Sequence, residues 1–274
     1  MARNPADDRF RGLKFDHTQE MLGTFNNIFG PHEFRDNQLE AINATILKEN
    51  VFVVGSNGAG KSLCYQLPAC LSAGVTVVIS PLISLIQDQI QILTELGVSS
   101  WIFLFRLTLS GDQGYSDAES IYEELSEIKL LYVTPEKLSM NRPLIEALQD
   151  LFANGLLALF VIDEAQCISQ WGCDFRPAYG ILNELQQDFP GVPMIALSSP
   201  IGPHIQEDIL KRLQITNTKE DRVSEAPQAL RQKQVPGNEE KEGLKEELQE
   251  HCQTGSRSTH NKFEDIIQST HINI

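Results

Sequence analysis

The chain has 274 residues, enough for one α/β domain and an appendage, and at 41% hydrophobic it can build a sizeable core. No apolar run approaches the roughly 18 residues of a membrane span, and residues 1–14 lack the apolar centre of a secretory leader, so an intracellular protein without a membrane partner is expected. A net charge of −15 argues against a broad nucleic-acid surface; any nucleic acid has to be held in a local groove, and weakly at physiological salt.

In chain order, residues 17–49 read as helices joined by a turn at Gly30-Pro31. Val51-Phe52-Val53-Val54 is a short β-branched run that predicts a buried strand, and residues 62–67 read as the first turns of a helix. Apolar runs at 75–79, 130–134, 158–162 and 193–197 predict further strands. Helices are predicted at 82–96, near 142–152 and at 203–213. Strands that alternate with helices and are apolar on both faces indicate a doubly wound parallel sheet with helices on each side. From about residue 216 the pattern stops. Residues 216–274 are rich in Glu, Gln, Lys, Ser, Thr and Asn, and are expected to stay mostly disordered because they cannot bury enough apolar area to offset chain entropy. The expected organisation is an N-terminal arm over 1–16, an α/β domain over 17–215 and a polar tail over 216–274. Five cysteines without paired short spacing fit reduced thiols, and Cys167 and Cys173, with no nearby histidine, read as buried thiols rather than zinc ligands.

Two motifs carry chemistry. Gly55-Ser56-Asn57-Gly58-Ala59-Gly60-Lys61-Ser62 fills every fixed place of the phosphate loop G-x-x-x-x-G-K-[ST], between the predicted strand and helix. Gly58 and Gly60 let consecutive backbone N–H groups curl around an anion, and the helix N-terminus adds partial positive charge. Lys61 can reach terminal phosphates and the Ser62 hydroxyl can join the shell of a Mg²⁺ ion. About 100 residues downstream, Asp163-Glu164 follows an apolar run, at the strand end where doubly wound sheets hold their ligands. Asp163 is expected to hold Mg²⁺ and Glu164 to orient or deprotonate an attacking water. ATP with Mg²⁺ is therefore the expected cofactor.

With these residues in place, the chain resembles the RecQ family of superfamily-2 DNA helicases, and most closely its Bloom-type members, from about Phe10 to Leu213. The matching segments include Phe34-Arg35 with Gln38-Leu39-Glu40, Ser80-Pro81-Leu82, Ser110-Gly111-Asp112 and Tyr132-Val133-Thr134-Pro135. The longest match runs Asp163-Glu164-Ala165, Cys167-Ile168-Ser169-Gln170-Trp171-Gly172, Asp174-Phe175-Arg176-Pro177 and Tyr179. The resemblance implies a RecA-like lobe whose Gln38 bonds the adenine edge while Arg35 packs on it. It implies an aromatic loop in which Trp171 and Phe175 stack on single-stranded DNA and Arg176 supplies charge. It further implies ATP-dependent 3′-to-5′ unwinding of single-stranded or forked DNA in recombination and repair, in the nucleus.

Four departures fall on functional positions: Gln166 stands for the family's D-E-A-H histidine, Cys173 for a histidine of the aromatic loop, and Ser198-Ser199-Pro200 for T-A-T. The fourth is the apolar stretch 101–109, longer than the family's strand there. Pro200 lacks a backbone N–H, so the resemblance implies a damaged switch at that motif. Nothing after Leu213 resembles the family's second RecA-like lobe, which supplies arginine fingers worth roughly 10³–10⁵-fold in related phosphoryl transfer. The expectation is that the chain alone binds nucleotide and hydrolyses it poorly unless a second lobe acts in trans. The alternative is a non-catalytic nucleotide- or partner-binding module that competes with a full-length helicase.

Overall fold

The computed structural model describes residues 9–35, 37–56, 58–102, 118–170, 176–215 and 222–224. The chain divides into Met1–Ala226 and Pro227–Ile274, and the second unit lies wholly outside the described residues.

Among the described residues, β1 (Val51–Val54), β2 (Val75–Ile79), β3 (Ser100–Ile102), β4 (Leu130–Val133), β5 (Leu157–Ile162), β6 (Met194–Ser198) and β7 (Arg222–Ser224) form one sheet in the order β3-β4-β2-β5-β6-β1-β7. Every neighbouring pair is parallel. The expected doubly wound sheet is thus observed, with β5 beginning one residue earlier than expected and β6 ending one later. Beyond residue 215 the sheet gains β7 on its edge, a strand too short for periodicity to reveal. Residues 103–109 of the apolar stretch, Ser110-Gly111-Asp112, and the tail apart from β7 lie outside the described residues.

The strands bury both faces because alternate side chains enter different layers. Val77, Ile79, Leu131, Phe160, Ile162 and Ala196 pack on one side with Leu125, Leu144, Leu148 and Ile209. These come from the helices α5 (Ala118–Ser126), α7 (Arg142–Ala153) and α8 (Pro203–Arg212). Val53, Val78, Tyr132, Val161 and Ile195 pack on the other side with Ala41, Tyr65, Ile86 and Leu93. These belong to α2 (Gln38–Ile46), α3 (Leu63–Leu71) and α4 (Ile83–Glu95). A smaller cluster of Met21, Phe25, Ile42 and Leu67 seats α1 (Thr18–Thr24) on α2 and α3. The buried Asn43 amide donates to the Phe10 carbonyl at 2.7 Å and to that of Gly12 at 3.1 Å, which pins the start of the described chain to α2.

Two features escape the pattern of apolar residues. Helix α1 runs on into a wider turn over Phe25–Phe29 and stops at Gly30, whose φ of 86° a side chain would strain. Thr134 is not the end of a strand: its side chain accepts the Lys137 N–H at 3.3 Å and caps α6 (Pro135–Met140), with Pro135 at the first helical position.

Candidate nucleotide site

Parallel register brings the C-terminal ends of β1, β2, β5 and β6 together. Val54 pairs with Ser198 and Ile79 with Ile162, so the residues just past those ends become neighbours. The Gly55 N–H donates to the Ser198 carbonyl at 3.0 Å and the Asp163 N–H to the Ile79 carbonyl at 2.9 Å.

The phosphate loop follows β1 and turns directly into α3, with Ser62 just before the helix. Gly58 and Gly60 have φ of 79° and 80°. A Cβ at Gly60 would also lie 2.5 Å from the Gln38 Nε2 atom, so a side chain there would strain the backbone and push the Gln38 amide aside. Hydrogen bonds hold that amide in place: Gln38 Nε2 donates to the Gly60 carbonyl at 2.9 Å, its Oε1 accepts the Arg35 N–H at 2.7 Å, and the Arg35 guanidinium donates to the Gly58 carbonyl. The segment expected to read adenine is therefore joined to the loop expected to hold phosphate. Lys61 Nζ donates to the carbonyls of Gly55 at 2.7 Å and Ser56 at 3.2 Å.

Across from the loop, Asp163 sits between strand ends. Ser80 Oγ donates to its Oδ2 at 3.0 Å, and the Tyr179 hydroxyl donates to its backbone carbonyl at 3.0 Å. Burial, reinforced by the charge of Glu164, pushes the Asp163 carboxyl up to about 6; the Ser80 bond and the charge of Lys61 pull the other way. Lys61 and Asp163 thus lie within electrostatic reach of each other. Glu164 adopts left-handed backbone angles, φ 51° and ψ 48°, an uncommon state for a non-glycine residue and one that recurs at functional sites. Gln166 joins two motifs. Its Nε2 donates to the Glu164 carboxylate, while its Oε1 accepts Ser198 Oγ at 3.1 Å and the Ser199 N–H at 3.3 Å. The amide at the family's histidine position therefore makes a connection between the carboxylate pair and Ser198-Ser199, and Pro200 follows that connection rather than interrupting it.

Of the expected DNA-contacting residues, Trp171 and Phe175 lie outside the described residues, as does Cys173. Arg176 is described: a guanidinium N–H donates to the Pro81 carbonyl at 2.9 Å, tying the end of the aromatic loop to the segment after β2. Ser80 and Tyr179 belong to the matching segments, but their hydrogen bonds to Asp163 follow only from the fold. The groups gathered here suit Mg²⁺ and phosphate: a hydroxyl at Ser62, carboxylates at Asp163 and Glu164, an ammonium at Lys61, and glycines at 58 and 60 with the positive φ that curls a loop around an anion.

A parallel sheet with a phosphate loop at one strand end and paired carboxylates at the next but one is the layout of a RecA-like lobe. The model of the DEAD/DEAH box helicases matches residues 35–207, and the chain belongs to that family. Its relatives within the family are RecQ-type. It is 52% identical over 217 residues to the RecQ-like DNA helicase BLM of Xenopus laevis, covering 78% of this chain and 16% of that one. It is 45% identical to the ATP-dependent DNA helicase Q-like 4B of Arabidopsis thaliana, covering 77% and 18%. It is 37% identical to the ATP-dependent helicase SGS1 of Saccharomyces cerevisiae, covering 78% and 15%. The chain thus spans less than a fifth of the length of these relatives. Among solved structures, the DUF1998 helicase MrfA bound to DNA and AMPPNP shares the fold, with a TM-score of 0.51 and 17% identity over 76% of this chain and 29% of that one.

Proposed function

We propose that this chain carries the ATP-binding lobe of a RecQ-type, ATP-dependent 3′-to-5′ DNA helicase that works on single-stranded or forked DNA in the nucleus. The observation that carries the reading is the gathering of Lys61, Asp163, Glu164 and Gln166 at one end of the sheet, with Gln166 bonded to both Glu164 and Ser199. Ser62 and Asp163 would hold Mg²⁺, whose bound ATP supplies the reactive phosphoryl group. Lys61 would exchange the neutral carbonyls of Gly55 and Ser56 for charged phosphate oxygens, a stronger acceptor. Glu164 would orient the attacking water or take its proton. Arg35 and Gln38 would face the adenine, and Gln166 would carry changes at Glu164 to Ser198-Ser199. Trp171, Phe175 and Arg176 would meet the DNA strand, and Arg176 would report to Pro81 through its hydrogen bond. A second RecA-like lobe, on the same or another chain, would complete the site.

The second reading, a non-catalytic module that competes with a full-length helicase, draws on Pro200 in the coupling motif and on the net charge of −15. ATP turnover with and without single-stranded DNA separates the two. Slow Mg²⁺-dependent turnover that Glu164→Gln removes supports the motor lobe; binding without turnover supports the module. By itself the 274-residue chain should bind DNA weakly and lose it with added salt, and should not displace a strand from a forked duplex. ATP-dependent displacement that vanishes in Glu164→Gln would mean that two chains complete one another.

A further inference from the structure

Tyr179 is 1% exposed, its hydroxyl donates to the Asp163 carbonyl at 3.0 Å, and the roles given to the site above leave it unused. A phenylalanine would fill the same space without the cost of burying a hydroxyl. Burial pushes the phenol's pKa well above its usual value, so the group keeps its proton and acts as a donor, not as an acid or base. Asp163 is held at three different groups. Its N–H donates to the Ile79 carbonyl at 2.9 Å, its carboxylate accepts from Ser80 at 3.0 Å, and its carbonyl accepts from Tyr179. The first two bonds come from the end of β2 and fix Asp163 itself. The third falls on the peptide that joins Asp163 to Glu164.

That peptide leads into the left-handed backbone of Glu164, φ 51° and ψ 48°. A non-glycine residue there stores strain of the same order as one net hydrogen bond, so its surroundings have to hold it. Tyr179 is itself held. Its N–H donates to the Arg176 carbonyl at 3.0 Å, the Arg176 N–H donates to the Cys167 carbonyl at 2.9 Å, and the Arg176 guanidinium donates to the Pro81 carbonyl at 2.9 Å. Residues 176–179 therefore brace Pro81, just past β2, against the turn that starts at Glu164. The Cys167 N–H closes that turn on the Glu164 carbonyl at 2.9 Å.

We infer that Tyr179 is a positioning residue: its hydroxyl holds the Asp163–Glu164 peptide so that Glu164 stays left-handed and keeps its carboxylate aimed where the attacking water is expected. The inference rests on the motor-lobe reading and goes beyond it in naming what aims the carboxylate. Without the hydroxyl, the Asp163 carbonyl loses its donor and Glu164 is free to relax toward the ordinary helical or extended backbone. Lys61, Ser62 and the Asp163 carboxylate keep their places, since Ile79 and Ser80 still hold Asp163. Loss of the bond thus reaches turnover and leaves nucleotide affinity alone.

ATP turnover, calorimetry of Mg-AMPPNP and residue-resolved amide exchange, all on the full chain, test this in Tyr179→Phe. Turnover should fall by about fivefold, the weight of one net hydrogen bond, with affinity unchanged. Exchange at Cys167 without nucleotide should quicken by a similar factor. Thr45→Val is the control. It removes a buried hydroxyl that donates to the Ala41 carbonyl at 2.7 Å, beside the cavity lined by Thr76, and should leave both readings at the wild-type level. A wild-type value of either reading in Tyr179→Phe overturns the inference, as does a loss of affinity that matches the loss of turnover, the mark of a merely structural role. A shift of equal size in Thr45→Val overturns it too. Wild type that turns over no faster than Glu164→Gln contradicts the motor-lobe reading instead, and Cys167 exchange then decides by itself whether Tyr179 holds the Glu164 backbone.

Discussion

At the C-terminal end of the sheet Ser80, Asp163, Gln166 and Ser198 each find a hydrogen-bond partner within the cluster, whereas at the N-terminal end the buried Thr76 hydroxyl has none. Thr76 there borders a cavity of about 470 Å³, lined also by Leu71, Gly74, Phe152, Leu157 and Pro193. Left-handed backbone occurs at both ends, for different reasons. Lys48 and Gly155 at the N-terminal end follow α2 and α7 and terminate them, an ordinary use of that conformation. Glu164 ends no helix; its conformation places a carboxylate beside Asp163. The difference teaches that partnered polar atoms and backbone strain, together, mark the end of the sheet where the proposed nucleotide site lies, while a hollow with an orphan hydroxyl marks imperfect packing.

Substitutions at the two ends should separate these roles, beginning with the largest effect. Glu164→Gln should lower ATP turnover by roughly 10²–10⁴-fold, the range for losing a general base, while calorimetry shows nucleotide binding retained. The next effect comes from pH. Because the Asp163 carboxyl is raised from 3.8 to about 6, the folded protein holds its proton more tightly than the unfolded chain does. Stability without metal therefore falls as pH rises from about 4 to about 6, and Mg²⁺ must displace a proton below about 6. Mg-nucleotide affinity should drop by up to about tenfold per pH unit there, and Asp163→Asn should flatten both profiles.

Gln166→Ala breaks the bonds to Glu164, Ser198 and Ser199, so turnover should fall by about fivefold per net bond lost with little change in affinity, measured by steady-state kinetics. At the opposite end, Thr76→Val removes an unpaired hydroxyl and keeps the shape. It should raise unfolding free energy by about 1 kcal/mol in a denaturant titration and leave nucleotide binding unchanged. A loss of affinity in Thr76→Val would break the contrast between the ends.

How far this was legible in the sequence depends on range. The Gly55–Ser62 loop and the strands at residues 51–54 and 75–79 are local patterns, and they appear where periodicity places them. Helix α6 is hidden in the sequence because its cap, Thr134, is also a β-branched residue that continues an apolar run. Ser80 and Asp163 are 83 residues apart, and only the adjacency of β2 and β5 makes them partners. The same holds for Tyr65 with Tyr132, which stand in two strongly apolar segments where composition suggests packing alone. Gln166 was legible as a departure from the histidine that the family resemblance calls for, but its two-sided bonding was not, since that requires β6 to lie beside β5.

The most direct test of the central claim is calorimetric titration of Mg-ATP into the wild-type chain and into Lys61→Ala. Lys61 donates to Gly55 and Ser56 from the lip of the loop, so its loss removes charge-assisted bonds to phosphate without opening the core. The account predicts saturable binding by the wild type and a loss of about 2–3 kcal/mol, roughly 30- to 150-fold in affinity, in the variant. Equal heats for the two proteins, or no heat for either, would contradict it.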